Sequence, residues 1–468
     1  MFIGRQNELK EIKEGIKTNR FESFLIYGRR RIGKTELINE SLKDSNKLVI
    51  SFECIKSSLS DNLALFKKKA LETFGETYLD FNDFDGLFEY LFNKSIGNNM
   101  VLIIDEFSFL LDEDFSIESR LATVIDTYKN KTDLKLFISG SYVTLMEKMV
   151  QYSSHSYGRY THIMYIRPFD YYDSSFFYSD YCNEDKIMMY SVFGGVPYFN
   201  SLIDTSKSAI DNIINLVIKK DSILEHEINE MVLIETNKIS NLNKVISLIS
   251  RGVNKYKDIY SILQNDGNSK PDYLLNKLID MDIITKDFPI NDENNKKKTS
   301  YVFKDNLLNF YYNYLFYTSY QEYRNNPQFY YNEFIKDDFL TNYIPRKFES
   351  ISKEYLLRAN LSYLIKPIAL KIGSYSFNDA KNKINREFDV VTLDSKGYIS
   401  YECKYTNQPI DMNVINEEEQ QTKNLNIDFY KLGFISKNGF SENIDKTKYN
   451  LIDLNDMFSD CLKDSFKR

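Results

Sequence analysis

Short apolar runs alternate with longer amphipathic stretches over roughly the first 200 residues of the chain. Near-continuous apolar strands that alternate with helices are typical of a parallel sheet covered on both faces. The pattern therefore predicts an α/β domain over residues 1–205. Its strand candidates are Phe24–Tyr27, Leu48–Phe52, Val101–Ile104 and Leu136–Ser139.

The pattern changes twice further along the chain. From about Ile213 to Leu315 the apolar positions follow helical spacing, and from about Arg346 strands return. We therefore expect an α/β multidomain protein. Its domains would cover residues 1–205, 206–320 and 321–468.

Residues 241–305 show the pattern of a winged helix, which has three helices and a hairpin. The third helix of such a module can enter a major groove while the wing touches phosphates. Several aspartates lie near this helix, and a structural role as a lid on the first domain is the alternative. The expected elements are helices Asn241–Arg251, Tyr256–Leu263 and Pro271 to about Met281, a turn at Asp266–Ser269, and wing strands Ile283–Thr285 and Ser300–Phe303.

The first apolar run leads directly into a G-x-x-x-x-G-K-T motif that continues as a helical pattern. A strand before and a helix after are the context that a phosphate-binding loop requires. The glycines let backbone N–H groups approach phosphates, Lys34 can reach the β- and γ-phosphates, and Thr35 can hold Mg²⁺. The motif therefore predicts binding of ATP with Mg²⁺. The expected contact residues are Gly28, Arg31, Ile32, Gly33, Lys34, Thr35 and Glu36.

Two carboxylates, Asp105 and Glu106, follow the third apolar run, about 70 residues after the loop. Asp105 would orient Mg²⁺ or its water, and Glu106 would polarise the water that attacks the γ-phosphate. Read without the loop, the same residues are a strand end with solvated acids. With the loop upstream, they predict the second half of a nucleotide site.

The fourth apolar run ends in Ser139-Gly140-Ser141. Ser141, or else Ser139, would lie between the two carboxylates and the γ-phosphate and sense its presence, and a helix cap is the alternative. Further along, Arg159 is a candidate arginine finger that acts in its own chain or on a neighbouring one. A plain surface arginine is the alternative there.

These motifs follow one another in an order that resembles a known family, the archaeal-type AAA-related P-loop ATPases close to the STAND class. The resemblance implies ATP binding and hydrolysis. Because many such ATPases use an arginine from a neighbour, it also makes a homo-oligomer a candidate assembly. The matching segments are Phe2-x-Gly4-Arg5-x-x-Glu8-Leu9, the loop, Ile103–Glu106, Gly140-Ser141, Gly158-Arg159, Arg167-Pro168-Phe169 and Gly194-Gly195-Val196-Pro197.

A second group of charged residues stands on a predicted hairpin near the C-terminus. If its loop is Ser395-Lys396, Asp389 faces Glu402 and Glu387 faces Lys404, all on one face. Two opposed carboxylates about 5 Å apart repel unless a cation or proton lies between them. With a lysine beside them they could form a Mg²⁺-dependent phosphodiesterase. An exposed hairpin with cross-strand salt bridges is the alternative.

The hairpin resembles the PD-(D/E)xK nuclease core, although Phe388 departs from the proline of that motif. The resemblance implies that Asp389 and Glu402 bind metal, that Lys404 is catalytic, and that a glutamate on a preceding helix is a further ligand. Glu349 is the first choice for that glutamate and Glu354 the second. The whole region looks like the C-terminal domain of unknown function that is often fused to these ATPases.

Composition adds little to this picture. The net charge of −7 argues against a protein that is basic overall and coats nucleic acid, but not against a local basic face. The four cysteines lack metal-ligand or disulfide spacing, which fits a reducing compartment. Neither an apolar run of about 18 residues nor a signal-peptide pattern occurs. We therefore expect a cytoplasmic protein with no membrane partner.

Two functions agree with these observations. In the first, an ATPase is coupled to a metal-dependent nuclease that acts on DNA. In the second, ATP drives a regulatory switch whose C-terminal domain binds nucleic acid or a protein without cleavage.

Overall fold

The structure, a computed structural model, describes residues 2–236, 241–265, 271–316, 321–379, 384–424 and 429–463. The chain divides into two compact units, residues 1–168 and 169–468. The turn expected at Asp266–Ser269 lies outside the described residues. The division into three domains stays a prediction.

The first unit contains a parallel five-stranded sheet in the spatial order β2-β3-β4-β1-β5. The four predicted strands are confirmed, and each extends by one or two residues beyond its apolar run. The fifth was missed because His162-Ile-Met-Tyr has no clear apolar pattern. The strands are β1 (Glu22–Tyr27), β2 (Leu48–Glu53), β3 (Met100–Asp105), β4 (Lys135–Gly140) and β5 (His162–Tyr165).

Helices lie on both faces of this sheet, and an apolar cluster fills each face. All residues of β1, β3 and β4 are buried, which explains their continuous apolar sequence. Since these three strands are parallel neighbours, their carboxyl ends meet at one edge. The helices are α1 (Gln6–Ile16), α2 (Lys34–Leu42), α3 (Leu59–Phe74), α4 (Phe84–Ser95), α5 (Ser108–Glu113), α6 (Ile117–Tyr128) and α7 (Val143–Lys148).

The second unit begins with a helical region. Three helices and an antiparallel hairpin occur close to the bounds predicted for residues 241–305. The helices are α8 (Tyr171–Ser174), α9 (Asn183–Phe193), α10 (Pro197–Ser201), α11 (Ala209–Ile213), α12 (Ile223–Thr236), α13 (Leu242–Ser250), α14 (Tyr256–Asn265), α15 (Asp272–Asp280), α16 (Asn306–Tyr314), α17 (Pro327–Tyr330), α18 (Lys336–Asp338) and α19 (Ile344–Leu361), and the hairpin is β6 (Ile284–Asp287) with β7 (Ser300–Phe303).

A mixed sheet in the order β12-β11-β10-β9-β8 follows α19. Strands β8, β9 and β10 are antiparallel neighbours, whereas β10, β11 and β12 are parallel. One apolar cluster contains residues of both the helical region and this sheet, so the two share a core. The elements are β8 (Lys371–Asp379), β9 (Ile384–Asp394), β10 (Gly397–Lys404), α20 (Met412–Asn424), β11 (Phe429–Ser436), β12 (Asn450–Asp453) and α21 (Leu454–Met457).

The tip of the β6-β7 hairpin covers the edge strand β8. The backbone N–H of Ile290 donates to the carbonyl of Ser374 at 2.7 Å. The side-chain amide of Asn291 donates to the carbonyl of Ser376 at 2.8 Å and accepts from its N–H at 3.0 Å. The hairpin tip therefore satisfies edge groups that would otherwise be open to pairing with another chain.

The Gly-Gly-Val-Pro turn between α9 and α10 fixes the start of the second unit. The N–H of Phe169 donates to the carbonyl of Gly195 at 2.8 Å. A Cβ atom on Gly195 would lie 1.8 Å from the carbonyl oxygen of Phe169. Because this neighbour is backbone, it cannot move aside without disturbing the turn.

We expect Gly195→Ala to lower the free energy of unfolding of the second unit by at least about 2 kcal/mol, because the added methyl forces the two backbone segments apart. Urea unfolding followed by circular dichroism measures this change. The matched control is Ser179→Ala, an exposed site in the same unit, which should stay within about 0.5 kcal/mol of the unmodified chain. Equal stability of the two variants would contradict the close backbone approach.

Candidate functional site

The phosphate-binding loop joins β1 to α2 at the edge where the buried strands end. A Cβ atom on Gly28 would lie 2.4 Å from the carbonyl oxygen of Ile166, so only glycine fits beside the end of β5. Gly33 has a φ of 88°, in the left-handed region, and α2 begins at the next residue. The N-terminal N–H groups of α2 therefore face the loop, the arrangement that binds phosphate.

Lys34 carries a buried positive charge, and its side chain is only 5% exposed. Its Nζ donates to the carbonyls of Gly28 at 3.1 Å and Arg29 at 3.4 Å, and lies 3.8 Å from a carboxylate oxygen of Glu106. Burial lowers the pKa of Lys34, and the carboxylates of Glu106 and Asp105 oppose that shift. The predicted phosphate ligand and the predicted carboxylates are thus in one site.

Asp105 accepts three hydrogen bonds within this site. The Thr35 hydroxyl donates to its Oδ2 at 2.6 Å, and the Ser139 hydroxyl and the Glu106 N–H donate to its Oδ1. A threonine hydroxyl beside a buried carboxylate supplies the hard oxygen donors that Mg²⁺ prefers. The donors therefore fit the predicted Mg²⁺ of a bound nucleotide.

Glu106 is held in an unusual backbone conformation, with a φ of 51°. Its Oε2 accepts from the Ser141 N–H at 3.1 Å and from the Ser141 hydroxyl at 2.6 Å. A non-glycine residue in the left-handed region is strained, and such strain clusters at functional sites. Ser139 thus contacts Asp105 and Ser141 contacts Glu106, so both predicted polar residues lie against the carboxylates.

The remaining residues predicted to contact the nucleotide differ in how deeply they are buried. Ile32 is buried in the apolar cluster beneath the loop, whereas Arg31 and Glu36 are exposed. Arg159 donates to Asp126 through two nitrogens, at 2.7 and 2.9 Å. None of the Arg159 contacts that the structure describes reaches the loop, which favours the plain surface role over an arginine finger in the same chain.

The C-terminal hairpin has the predicted register. Its pairs run from Gly397 with Asp394 to Tyr401 with Val390. The next residues along the two strands are Glu402 and Asp389. The two carboxylates therefore stand at the open end of the ladder, just beyond its last pair.

A β-bulge in β9 alters the strict alternation that we expected. Gly373 pairs with Val391 and Tyr375 with Phe388, so β9 has one more residue than β8 over this step. Bulges bend a strand and re-aim side chains. Glu387, expected opposite Lys404, lies 3.6 Å from Lys255 of the helical region instead. Lys404 pairs with Glu402 on its own strand at 2.5 Å.

Three acids from different elements act on one another here. Burial and the carboxylates of Asp389 and Glu402 raise the pKa of Glu349, on α19, to about 7. Desolvation and the carboxylates of Glu387 and Glu402 raise the pKa of Asp389, while Lys353 lowers it. The structure thus brings the three predicted ligands into one charged environment.

Two residues of this environment were missed from the sequence, Lys353 on α19 and Glu418 on α20. Burial and the carboxylate of Glu402 raise the pKa of Glu418 to about 7, and Lys404 lowers it. Glu418 sits in the run Glu417-Glu418-Glu419, which resembles a solvated face. The available signal was helical spacing, since Ile415 and Thr422, three residues before and four after Glu418, are both buried.

Glu354, the second choice for the helical ligand, points elsewhere. It follows Glu349 by five residues, which places the two about 140° apart around α19. Its carboxylate accepts from the Tyr171 N–H and the Tyr190 hydroxyl, each at 3.1 Å. Burial and the carboxylate of Asp170 raise the pKa of Glu354 to about 8. The structure therefore favours Glu349.

The carboxylates offer the oxygen donors that Mg²⁺ prefers, and their mutual repulsion is of the kind that a cation relieves. Their spacing is not that of an assembled cage. Across the described ranges, no three His, Cys, Asp or Glu side chains are grouped closely enough to hold a metal ion. In the same part of the chain, no helix combines the length and apolar character needed to cross a membrane.

Comparison with known proteins gives two family matches. An ATPase domain predominantly from Archaea matches residues 2–203, and a family of archaeal and bacterial proteins of unknown function matches residues 311–423. An uncharacterized protein of Methanocaldococcus jannaschii is 30% identical over 379 residues, which are 80% of this chain and 82% of that protein. The second family match contains the acid-bearing elements α19, β9, β10 and most of α20.

Two solved structures are also similar to this chain. A Walker-type ATPase of Pyrococcus abyssi has a TM-score of 0.46 and 17% identity, covering 66% of this chain and 96% of that one. The ORC2 protein of Aeropyrum pernix, solved as ADPNP and ADP complexes, has a TM-score of 0.42 and 11% identity, covering 64% and 89%.

We expect Ser141→Ala to lower the kcat of ATP hydrolysis about tenfold without changing KM, because Glu106 then loses the shortest of its hydrogen bonds, from the Ser141 hydroxyl at 2.6 Å. Glu106→Gln should lower kcat at least about 100-fold with ATP still bound, and Lys34→Ala should abolish binding. Steady-state ATPase assays and nucleotide-binding titrations measure these effects. Ser119→Ala, half-buried on α6, is the matched control. An unchanged kcat in Ser141→Ala would exclude this role for the serine.

The raised pKa of Glu354 predicts that the free energy of unfolding falls as pH rises from about 5 to about 7.5. The folded state keeps the proton up to about pH 8, while the unfolded state releases it near its ordinary pKa. Glu354→Gln cannot titrate and should lose up to about 1.4 kcal/mol of this dependence per pH unit. Urea unfolding across this range measures the slope. The exposed Glu333→Gln serves as control, and parallel slopes in all three proteins would refute the assignment.

Proposed function

We propose that this chain, which belongs to the same family as the Methanocaldococcus jannaschii protein and carries an archaeal-type ATPase domain, hydrolyses ATP to control a metal-dependent nuclease-like site that acts on DNA. The C-terminal region matches a family of unknown function. The nuclease part of this proposal therefore rests on the charged residues of that region. The observation that carries it is the electrostatic interaction among the carboxylates of Glu349, Asp389 and Glu402, with Lys404 paired to Glu402.

In the ATPase half, each group has a task that its position supports. Phosphate oxygens would replace the two loop carbonyls as acceptors for the Lys34 ammonium. Glu106 would take up and orient the attacking water, held in place by Ser141. Thr35 and Asp105 would hold Mg²⁺, which supplies charge neutralisation on the phosphates. Burial of Lys34 and Asp105 strengthens these interactions, because water screens them little.

The order of elements in the second unit supports the nuclease half. A helix (α19), three antiparallel strands, a helix (α20) and a strand parallel to the third follow one another. This topology agrees with the PD-(D/E)xK resemblance that the hairpin suggested. The helix supplies Glu349, β9 supplies Asp389, and β10 supplies Glu402 and Lys404.

Each charged group of this site has a proposed role. Asp389, Glu402 and Glu349 would hold a divalent cation, which supplies an activated water and stabilises charge on phosphate. Lys404 would donate a hydrogen bond to the phosphate oxygen on which charge develops. Burial lowers the pKa of Lys404, but its contact with Glu402 at 2.5 Å, aided by other nearby negative charge, outweighs this and raises the pKa, so the ammonium would stay charged beside the acids.

The winged-helix-like segment supports the proposal as part of the scaffold. The exposed residues of α15, the expected groove-reading helix, include Asp272 and Asp280, whose carboxylates would repel phosphates. The tip of the hairpin is engaged with β8, and Lys255 reaches Glu387. These contacts favour a structural role for this segment over direct reading of DNA.

A second candidate function is a regulatory switch that binds without cleaving. The observation that favours it is the engagement of Lys404 with Glu402, together with the absence of a three-ligand metal group in the described residues. In that case the C-terminal region binds nucleic acid or a protein, and ATP governs the binding.

The test is Mg²⁺- and Mn²⁺-dependent cleavage of single- and double-stranded DNA by the full chain, with and without ATP. We expect Glu402→Ala and Lys404→Ala to lose at least about 100-fold in cleavage with ATP hydrolysis unchanged. Glu442→Ala, exposed in the same region, should cleave like the unmodified chain.

The result that overturns the nuclease proposal is an absence of cleavage by the unmodified chain while it hydrolyses ATP. Salt-dependent DNA binding by that chain would then favour the nucleic-acid switch. If the unmodified chain does not bind DNA even at low salt, the remaining candidate for the ligand of the C-terminal region is a protein.

A further inference from the structure

The end of α19 and the turn that leads into β8 expose an unusual number of large apolar side chains. Six of the 25 such exposed side chains in the described part of the chain fall within residues 357–370. Their exposed fractions lie between 45% and 70%, so each is about half uncovered or more. We name this surface the leucine patch; its residues are Leu357, Leu361, Tyr363, Leu364, Ile368 and Leu370.

Hydrogen bonds from the Asn360 side chain to the backbone of Ala369 hold the two segments of the leucine patch together. Leu357 and Leu361 are four residues apart on α19 and share a face. The side-chain amide of Asn360 donates to the carbonyl of Ala369 at 2.9 Å and accepts from its N–H at 2.8 Å, which brings Leu370 beside the helix. Leu357 and Leu370 line a cavity of about 280 Å³ between the two segments.

The patch carries little free charge. Residues 355–371 contain no Asp or Glu. Of their three cations, Arg358 is buried and bound to Asp170 and Asp173 at 2.6 and 2.9 Å, and Lys371 pairs with Glu293 at 2.9 Å. A nucleic-acid strand needs cations that are available for its phosphates, and here two of the three are already paired within the chain.

We propose that the leucine patch is a self-association surface, on which a second copy of this chain packs the same residues. Six side chains exposed by about half present on the order of 500 Å² of apolar surface, more than half of the roughly 800 Å² that each partner buries in a standard interface. An apolar face of low charge can meet its own copy about a two-fold axis without placing unpaired charges opposite each other. The inference is independent of the proposed nuclease activity.

The experiment is light-scattering mass measurement of the full chain without nucleotide, from about 1 to about 50 µM. We expect the mass to rise from that of the 55.3 kDa chain toward twice that value. Leu370→Glu and, as a second variant, Leu357→Lys should remain at the mass of one chain over this range. Tyr273→Glu is the matched control, since this side chain is 65% exposed in the same unit but outside the patch, and it should still dimerise.

Unchanged circular dichroism and an unchanged ATPase rate per chain would establish that the variants are folded. The proposal is overturned if the unmodified chain has the mass of one copy at every concentration, or if both folded variants still dimerise. The proposal is also overturned if the variants still have the mass of the dimer but no longer bind single-stranded DNA. The leucine patch would then be a nucleic-acid-binding surface.

Discussion

The buried ammonium of Lys34 is the constraint that the geometry of the first unit satisfies. A charge that is almost fully removed from water must be paired, or it loses its proton. The pairing carboxylates come from the end of β3, and the serines that hold them come from the end of β4, so the loop, Asp105 and Glu106 are brought together by the order of the strands. The strained backbone at Glu106 is compatible with stability because Ser141 holds its carboxylate by two hydrogen bonds.

The second unit also contains buried charge, but there the charge is negative. Glu349, Asp389, Glu402 and Glu418 bring negative charge together, and Lys404 and Lys353 offset only part of it. Burial, together with the repulsion that remains, raises the pKa of three of these acids, Glu349, Asp389 and Glu418. Such repulsion would only destabilise a purely structural hairpin, whereas a bound cation would offset it. This contrast is the physical reason to regard the acid-bearing edge as functional.

Much of this arrangement could be predicted from the sequence, and the remainder follows from contacts that leave no local signal. The strands of the first unit were predictable because strands buried on both faces are continuously apolar, and the hairpin register because Asp394-Ser395-Lys396-Gly397 is a tight-turn sequence. The bulge at Asp389 could not be predicted, because one inserted residue in a strand leaves no clear mark on the hydrophobic pattern. The pairing of Glu387 with Lys255 and the docking of Asn291 on β8 are long-range contacts, and charged or polar residues in exposed loops do not indicate their partners.

Helix α19 connects the acid-bearing edge to the interior of the second unit. One side of it presents Glu349 to Asp389 and Glu402, and the other buries Glu354 and Arg358 among Tyr171, Tyr190, Asp170 and Asp173. Because hydrogen bonds and ion pairs hold the far side of α19, we expect that disrupting that network would shift Glu349 relative to the strand carboxylates. We therefore expect the geometry of the candidate acidic site to depend on a buried polar network that contains none of the four residues proposed to act there, Glu349, Asp389, Glu402 and Lys404.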